Sequence, residues 1–131
     1  SISFLPCEPG MQVSIDRVQV EQVLVNLVQN SIDALANHAE PRQVAIRTMQ
    51  QADTLRVLVE DNGPGIRDSE FDQLFSPCFT TKQEGMGMGL FISKTIVELH
   101  GGTIWAMRAP NRGAVIAFEL PKTAEECQPC R

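Results

Sequence analysis

The 131-residue chain lacks long hydrophobic runs, an excess of basic residues and a regular cysteine pattern. A membrane-crossing helix needs about 20 consecutive apolar residues, and no signal-peptide pattern opens the chain. We therefore expect a cytoplasmic domain, even if a longer parent protein is membrane-anchored. The net charge of −5 argues against nucleic-acid binding, which requires a basic face. It leaves a local phosphate site open, because backbone amides, a metal ion and one lysine can together hold a polyphosphate.

The four cysteines do not have the spacing of a secreted disulfide framework, which indicates a reducing compartment. Cys127 and Cys130 have the spacing of a redox or metal half-site. Because only one such pair is present, in the polar tail 122–131, an incidental tail is the favoured interpretation. Cys78 is expected to be a packing residue rather than a thiol that senses oxidation.

The hydrophobic pattern predicts a single domain, and no internal repeat divides it. Asp16 is the expected N-cap of a first helix that runs to about Ala36, and Gly101 is the expected stop of a second. The predicted order is a strand at 2–5, the first helix, a hairpin at 44–48 and 55–59, a loop with a short helical piece at 66–84, the second helix at 89–100, and strands at 103–107 and 114–120. Antiparallel strand pairs beside helices predict an α+β fold, a two-layer α/β sandwich with a mixed, mostly antiparallel sheet covered on one face by helices.

The first predicted helix has an unusual polar face. At 100° per residue, an apolar stripe is centred on Leu24 and contains Val20, Leu27, Val28, Ser31 and Leu35. Four polar residues gather on the opposite side, namely Gln22, Asn26, Asn30 and Asp33. Solvated helix faces are usually built from Lys, Glu and Arg, whereas Asn is a poor helix former, so a polar cleft wall is favoured over a solvated face. An amide oxygen in such a wall is a suitable ligand for Mg²⁺.

Three glycines at alternate positions, Gly85, Gly87 and Gly89, precede the second helix. Each glycine raises the entropic cost of ordering the backbone, so bare backbone must be required there. Free N–H groups at a helix N-terminus suit an anion, and a simple turn is the alternative. The helix itself is predicted to present one apolar face, made of Ile92, Ile96 and Leu99.

Four segments, taken together, resemble the sequence boxes of sensor histidine kinases. Residues 22–34 (QVLVNLVQNSIDA) are similar to the asparagine box, 61–66 (DNGPGI) to the first glycine box, 74–82 (LFSPCFTTK) to the phenylalanine box and 84–102 to the second glycine box. The Thr-Thr-Lys at 80–82 is typical of the nitrogen-regulation and oxygen-sensing subgroup. The resemblance implies the ATP-binding module shared by histidine kinases, DNA gyrase, heat-shock chaperones and mismatch-repair ATPases, over residues 1–121.

The resemblance assigns roles to residues in each box, with Asn26, Asn30 and Lys82 as the implied catalytic residues. Asn30 would hold Mg²⁺ between the phosphates of ATP, and Asn26 would line the same wall one turn earlier. Asp61 would accept a hydrogen bond from the adenine amino group, and Lys82 would meet the terminal phosphates as a point charge. Further implied nucleotide contacts are Asp33, Gly63, Gly65, Ile66, Phe75, Thr80, Thr81, Gly85, Gly87, Gly89 and Leu90.

The resemblance also implies a movable ATP lid over about 66–88, anchored by Phe75 and Phe79. Its glycines would present backbone N–H groups to the phosphates. Each residue has a simpler interpretation when taken alone. Asp61 would only cap its turn, the two phenylalanines would be core residues and Lys82 would be a surface lysine.

The chain departs from the family pattern in two ways. A histidine kinase needs an acceptor histidine followed by an acidic residue, normally on a separate dimerising hairpin, and neither His38 nor His100 is followed by one. Both are expected to be structural, with His100 as a cation suited to a helix C-terminus. We therefore expect a monomeric fragment that lacks its acceptor. The threonine expected near the adenine aspartate is replaced by Val115, which leaves the nucleotide affinity open.

The implied function is transfer of the γ-phosphoryl group of Mg-ATP to a histidine on a dimerisation domain outside this chain, which then supplies a response regulator. A gyrase-like ATPase clamp is the first alternative. Its members use Glu as a general base where this chain has Asn26, and an amide cannot accept the proton. A non-catalytic nucleotide-binding regulatory module is the second alternative, against which Asn30, Asp61 and Lys82 argue.

Overall fold

The computed structural model describes residues 2–5, 15–36, 41–77, 88–110 and 112–122. Its elements are β1 (Ile2–Leu5), α1 (Arg17–Ala34), β2 (Val44–Gln50), β3 (Thr54–Asp61), α2 (Asp68–Phe71), α3 (Gly89–Leu99), β4 (Thr103–Arg108) and β5 (Ala114–Pro121). The five strands form one sheet in the order β1-β2-β3-β5-β4, in which β1 pairs with β2 in parallel and all other pairs are antiparallel. The predicted α+β fold with a mixed, mostly antiparallel sheet is confirmed.

The core lies between one face of the sheet and the two long helices. Alternate residues of the central strands face it, so that Val57 pairs with Phe118 and Val59 pairs with Ile116. All four side chains are buried, and burial of such a side chain contributes about 1.5–3 kcal/mol. Because α1 packs on β2 and β3 while α3 packs on β4 and β5, the helices together cover the width of the sheet from β2 to β4.

The opposite face of the sheet carries charged side chains. Arg56 and Glu119 lie opposite each other on β3 and β5, with 2.7 Å between Nε and Oε2, and the Arg56 guanidinium lies 5.1 Å from the centre of the Trp105 ring. Arg47 and Glu60 form a second pair at 3.0 Å. Such partly exposed pairs contribute at most about 1 kcal/mol each, so the apolar helix-facing side supplies most of the stability.

Helix α1 begins where the sequence predicts. The carboxylate of Asp16 accepts a hydrogen bond from the Gln19 backbone N–H at 3.1 Å, which confirms Asp16 as the N-cap. The predicted centre of its buried stripe is wrong, however, because Val23 is fully buried whereas Leu24 is only partly buried. The helix is rotated toward α3 as well as toward the sheet, and this rotation leaves Val25 exposed.

Helix α3 begins at the predicted Gly89 and ends at Leu99, one residue before the predicted end, but its buried face differs from the predicted one. Ile96 is buried as expected, but Ile92 is exposed and Leu99 is 73% exposed. Ser93 and Val97 are buried in their place. The reason is that α3 contacts both α1 and the sheet, so its buried side lies between two neighbours and not along a single apolar stripe.

Within the described ranges, no helix has the length and apolar character required to cross a membrane.

Candidate functional site

Asp61 ends the central strand β3 and is buried, with 5% of its surface exposed. Its Oδ1 accepts hydrogen bonds from the backbone N–H of Gly63 at 2.9 Å and of Ala114 at 3.4 Å. Both β2 and β5 pair with β3, so the carboxylate is positioned by strands on either side. Asp61 therefore does cap its turn, as the simpler interpretation predicts, and is also a carboxylate held in place by the backbone at one end of the sheet.

Glycines lie near this carboxylate at positions where a side chain would be crowded or the backbone would be strained. A Cβ at Gly63 would lie 3.1 Å from Asp61 Oδ1 and 3.2 Å from Leu35 Cδ2. Gly65 has a φ of +88°, a conformation that favours glycine. Gly113 has a φ of +107°, and a Cβ there would overlap the carbonyl oxygen of Asp61. The Asp61 turn and the start of β5 are thus in direct backbone contact.

Gly113 and Ala114 are site residues that the sequence analysis missed. The available signal was a glycine directly before the last predicted strand, but nothing local indicated that this strand begins beside Asp61. The expectation that position 115 lies beside the Asp61 carboxylate is wrong. Val115 pairs with Glu60 across β3 and β5, and paired residues share a sheet face while successive residues alternate. The Val115 side chain therefore lies on the face opposite to that of Asp61, and the neighbour of the carboxylate is Ala114.

A second cluster joins α1 to the beginning of α3. The Nδ2 of Asn26 donates to the carbonyl oxygen of Gly89 and to the Oγ of Ser93, both at 3.2 Å. The Oδ1 of Asn26 accepts from Gln22 Nε2 at 2.9 Å. The structure therefore brings together two predicted site residues, Asn26 and Gly89, that are 63 positions apart in the chain.

His100 joins the C-terminal end of α3 to the N-terminal end of α1. The Asp16 backbone N–H donates to His100 Nε2 at 2.9 Å, and Nδ1 lies 2.8 Å from the carbonyl oxygen of Ile96. His100 thus has a structural position between the two helices, as expected.

Asn30 lies on α1 between Asn26 and the C-terminal end of the helix, which packs beside the Asp61 turn. Its side chain is half-buried. At one end of this stretch Asn26 contacts Gly89, and at the other end the carbonyl oxygen of Ala34 lies 3.4 Å from the position of a Cβ added at Gly63. The rise from residue 26 to residue 34 is about 12 Å. We call residues 26–34 of α1 the amide wall.

Asp33 lies on the amide wall one turn after Gln29, whose Nε2 donates to Asp33 Oδ1 at 2.9 Å. No group of three or more His, Cys, Asp or Glu side chains that could hold a metal is found among the described residues. The Asn30 amide oxygen is of a ligand type that suits Mg²⁺, a cation that is usually held by few protein ligands.

The first part of the predicted lid packs on the domain. Ile66 and Phe75 are partly buried against the core, as is Leu90 at the start of α3. Arg108, at the end of β4, forms an ion pair with Asp68, and its guanidinium lies 5.1 Å from the centre of the Phe71 ring. The remaining predicted residues lie outside the described residues, namely Phe79, Thr80, Thr81, Lys82, Gly85 and Gly87, together with Cys7, His38, Cys78, Cys127 and Cys130.

Residues 15–124 match the family described as histidine kinase-, DNA gyrase B- and HSP90-like ATPase. The chain is 42% identical over 119 residues to the sensor protein FixL of Bradyrhizobium diazoefficiens, which covers 90% of this chain and 24% of FixL. It is 44% identical over 109 residues to the sensor histidine kinase TmoS of Ectopseudomonas mendocina, covering 81% of this chain and 11% of TmoS. The chain thus spans a quarter or less of these two curated relatives.

Solved structures of histidine kinases show the same similarity over most of this chain. The catalytic domain of the histidine kinase ThkA superposes with a TM-score of 0.82 at 37% sequence identity, covering 93% of this chain and 80% of that one. A longer ThkA structure, in complex with the response regulator protein TrrA, superposes with a TM-score of 0.77 at 37% identity, covering 95% of this chain and 35% of that one.

Proposed function

The chain belongs to the histidine kinase-, DNA gyrase B- and HSP90-like ATPase family and within it to the catalytic domains of histidine kinases, and on this premise we propose that it transfers the γ-phosphoryl group of Mg-ATP to a histidine. The acceptor histidine would lie on a dimerisation domain of a longer parent kinase. The family implies that the domain binds ATP. The proposed limits of the domain are 1–121, with a lid over about 66–88 and a polar tail at 122–131.

The amide wall is the single observation that carries the proposal. It runs about 12 Å along α1, from the start of α3 at Gly89 to the Asp61 turn at Gly63. An adenine held by Asp61 and phosphates held at the start of α3 would therefore lie at the two ends of the amide wall. Asn30 is placed between them, where a metal ion bound to the phosphates would be.

In the proposed complex, the Asp61 carboxylate accepts a hydrogen bond from the adenine amino group. Gly63 and Gly65 allow the backbone to approach the base, with Ile66 and Asp33 nearby. The first turn of α3, at Gly89 and Leu90, offers backbone N–H groups to the phosphates. The lid residues Phe75, Thr80, Thr81, Lys82, Gly85 and Gly87 would complete the nucleotide contacts.

Phosphoryl transfer requires mainly positioning and charge stabilisation from the protein. Mg²⁺, when bound by Asn30, would neutralise charge on the phosphates. Asn26 cannot act as a general base, since its amide does not take up a proton, and both of its polar atoms are used to hold α3 and Gln22. Water would therefore be poorly activated, which favours transfer to a histidine nucleophile over the steady hydrolysis of an ATPase clamp.

A response regulator is the proposed downstream partner, in line with the complex that ThkA forms with TrrA. We place the reaction in the cytoplasm, where ATP is supplied. The chain by itself is expected to be monomeric, since dimerisation would be the role of the separate acceptor hairpin.

The direct test combines this chain, labelled ATP and a separately produced acceptor hairpin from the parent kinase. We expect acid-labile phosphohistidine on the hairpin, and none when the acceptor histidine is replaced. Nucleotide binding without any labelled hairpin would favour the regulatory module. Steady ATP turnover by the chain alone, lost in Asn26→Ala, would favour the ATPase clamp.

Replacement of Asn30 by alanine should selectively weaken Mg²⁺-dependent nucleotide binding. The loss of an amide ligand to the cation is expected to lower ATP affinity at least about tenfold in the presence of Mg²⁺. With EDTA, ATP affinity should change little. Calorimetric titrations of wild type and variant, each with and without Mg²⁺, measure both effects. Gln19→Ala, an exposed amide three turns earlier on α1, is the matched control, and equal losses with and without metal would contradict the ligand role.

A further inference from the structure

Ser93 is a buried polar residue that the proposed mechanism does not use. It lies in the middle of α3 and has no exposed surface. A buried hydroxyl costs free energy unless it is hydrogen-bonded, and its partner is the Nδ2 of Asn26 on α1, at 3.2 Å. The hydrogen bond of Ser93 therefore joins two helices.

Thr95, two residues later, shows the more common arrangement. Its hydroxyl donates to the carbonyl oxygen of Phe91 at 3.1 Å, four residues back in the same helix, and the residue is exposed. Such local bonds are the usual partners of Ser and Thr inside helices. The comparison with Thr95 indicates that Ser93 is placed for its contact with α1 rather than for local satisfaction of the hydroxyl.

The Asn26 amide has only one orientation that satisfies this cluster. The carbonyl oxygen of Gly89 can only accept, so the amide atom facing it must be the nitrogen. The NH₂ group has two hydrogens, and the structure provides two acceptors for them, Gly89 O and Ser93 Oγ. The amide oxygen is directed to Gln22. The Ser93 Oγ and the Gly89 carbonyl oxygen are thus the two acceptors that hold the Asn26 NH₂ group at the start of α3.

We propose that Ser93 is a positioning residue for the phosphate end of the nucleotide site. This inference rests on the proposed function. By fixing the Asn26 amide, the Ser93 hydroxyl holds the first turn of α3 at the amide wall, and that turn carries the N–H groups offered to the phosphates. The Asp61 turn is held by a separate set of contacts, from Gly63 and Ala114. Loss of the hydroxyl should therefore affect phosphate binding and spare adenine binding.

The test compares Ser93→Ala with wild type in titrations with ATP, ADP and adenosine. Loss of one hydrogen bond predicts about three- to tenfold weaker binding of ATP and ADP and less than twofold change for adenosine. Thr95→Ala, which removes a hydroxyl from the same helix without touching α1, should leave all three affinities unchanged. In an Asn26→Ala background, Ser93→Ala should have no further effect, because the group through which it acts is already gone.

Equal losses for ATP and adenosine would reduce Ser93 to a structural residue, and unchanged ATP affinity or an undiminished effect in the Asn26→Ala background would overturn the proposal. Should Ser93→Ala not fold, Ser93→Cys keeps the buried volume with a weak acceptor and is expected to show the same selective loss. If the wild-type protein binds no ATP, the proposed function itself is contradicted, and the Ser93 inference with it. If wild type binds ATP through Asp61 and only the Ser93 effect is missing, this inference alone fails.

Discussion

Asp61→Asn should weaken ATP binding about 10- to 150-fold, because a hydrogen bond to a charged group is worth about 1.5–3 kcal/mol. The substitution is nearly isosteric. The remaining side-chain oxygen can still accept from the N–H groups of Gly63 and Ala114, as Oδ1 does now, so the turn is expected to keep its structure. The new NH₂ group would then face the adenine amino group, donor against donor. Calorimetric titration with ATP measures the loss.

Glu60→Gln is the matched control for this variant. Glu60 precedes Asp61 in β3 and carries the same charge, but it pairs with Val115 on the opposite face of the sheet and forms an ion pair with Arg47. We expect its replacement to leave ATP affinity within about twofold, since a partly exposed ion pair contributes at most about 1 kcal/mol. Undiminished ATP affinity in Asp61→Asn would remove Asp61 from the adenine role.

Gly113→Ala should destabilise the domain by about 3 kcal/mol or more, which corresponds to a melting temperature lower by roughly 10 °C. The φ of +107° is unfavourable for alanine, and the added Cβ would overlap the Asp61 carbonyl oxygen. Relief of this overlap requires β5 to move away from the Asp61 turn. The Gly113 carbonyl oxygen also accepts a hydrogen bond from the Ala109 N–H at 3.1 Å, which closes the β4–β5 connection. The movement would therefore disturb this connection as well as the Asp61 turn.

Gly101→Ala separates the effect of the overlap from that of the backbone conformation. Gly101 also has a positive φ, +79°, but the nearest atom to an added Cβ is Pro121 Cγ at 3.6 Å, an ordinary contact. Only the conformational strain remains, about 1–2 kcal/mol. Thermal unfolding of both variants should therefore show the larger loss for Gly113→Ala. Similar melting temperatures for the two would refute direct contact between β5 and the Asp61 backbone.

The positions of the helices and strands follow from local sequence. The N-cap at Asp16, the start of α3 at Gly89 and the sheet hairpin of β2 and β3 have the predicted places. These features depend on neighbours within a few residues, such as a capping carboxylate, a glycine run or an alternating apolar pattern. The roles expected of Asn26, Asn30 and Asp61 in a nucleotide site came instead from the resemblance of four segments, taken together, to the sequence boxes of sensor histidine kinases.

Contacts between distant segments required the tertiary structure. Which side of α1 is buried depends on α3, so the centre of its stripe lies nearer Val23 than Leu24. The Asn26–Ser93 hydrogen bond spans 67 positions and the Ala114–Asp61 bond spans 53. Local periodicity carries no information about such partners, because the side of an element that is buried is decided by what packs against it. The sequence by itself therefore determined the elements and the residue types of the candidate site, and the tertiary structure decided which groups hold those residues in place.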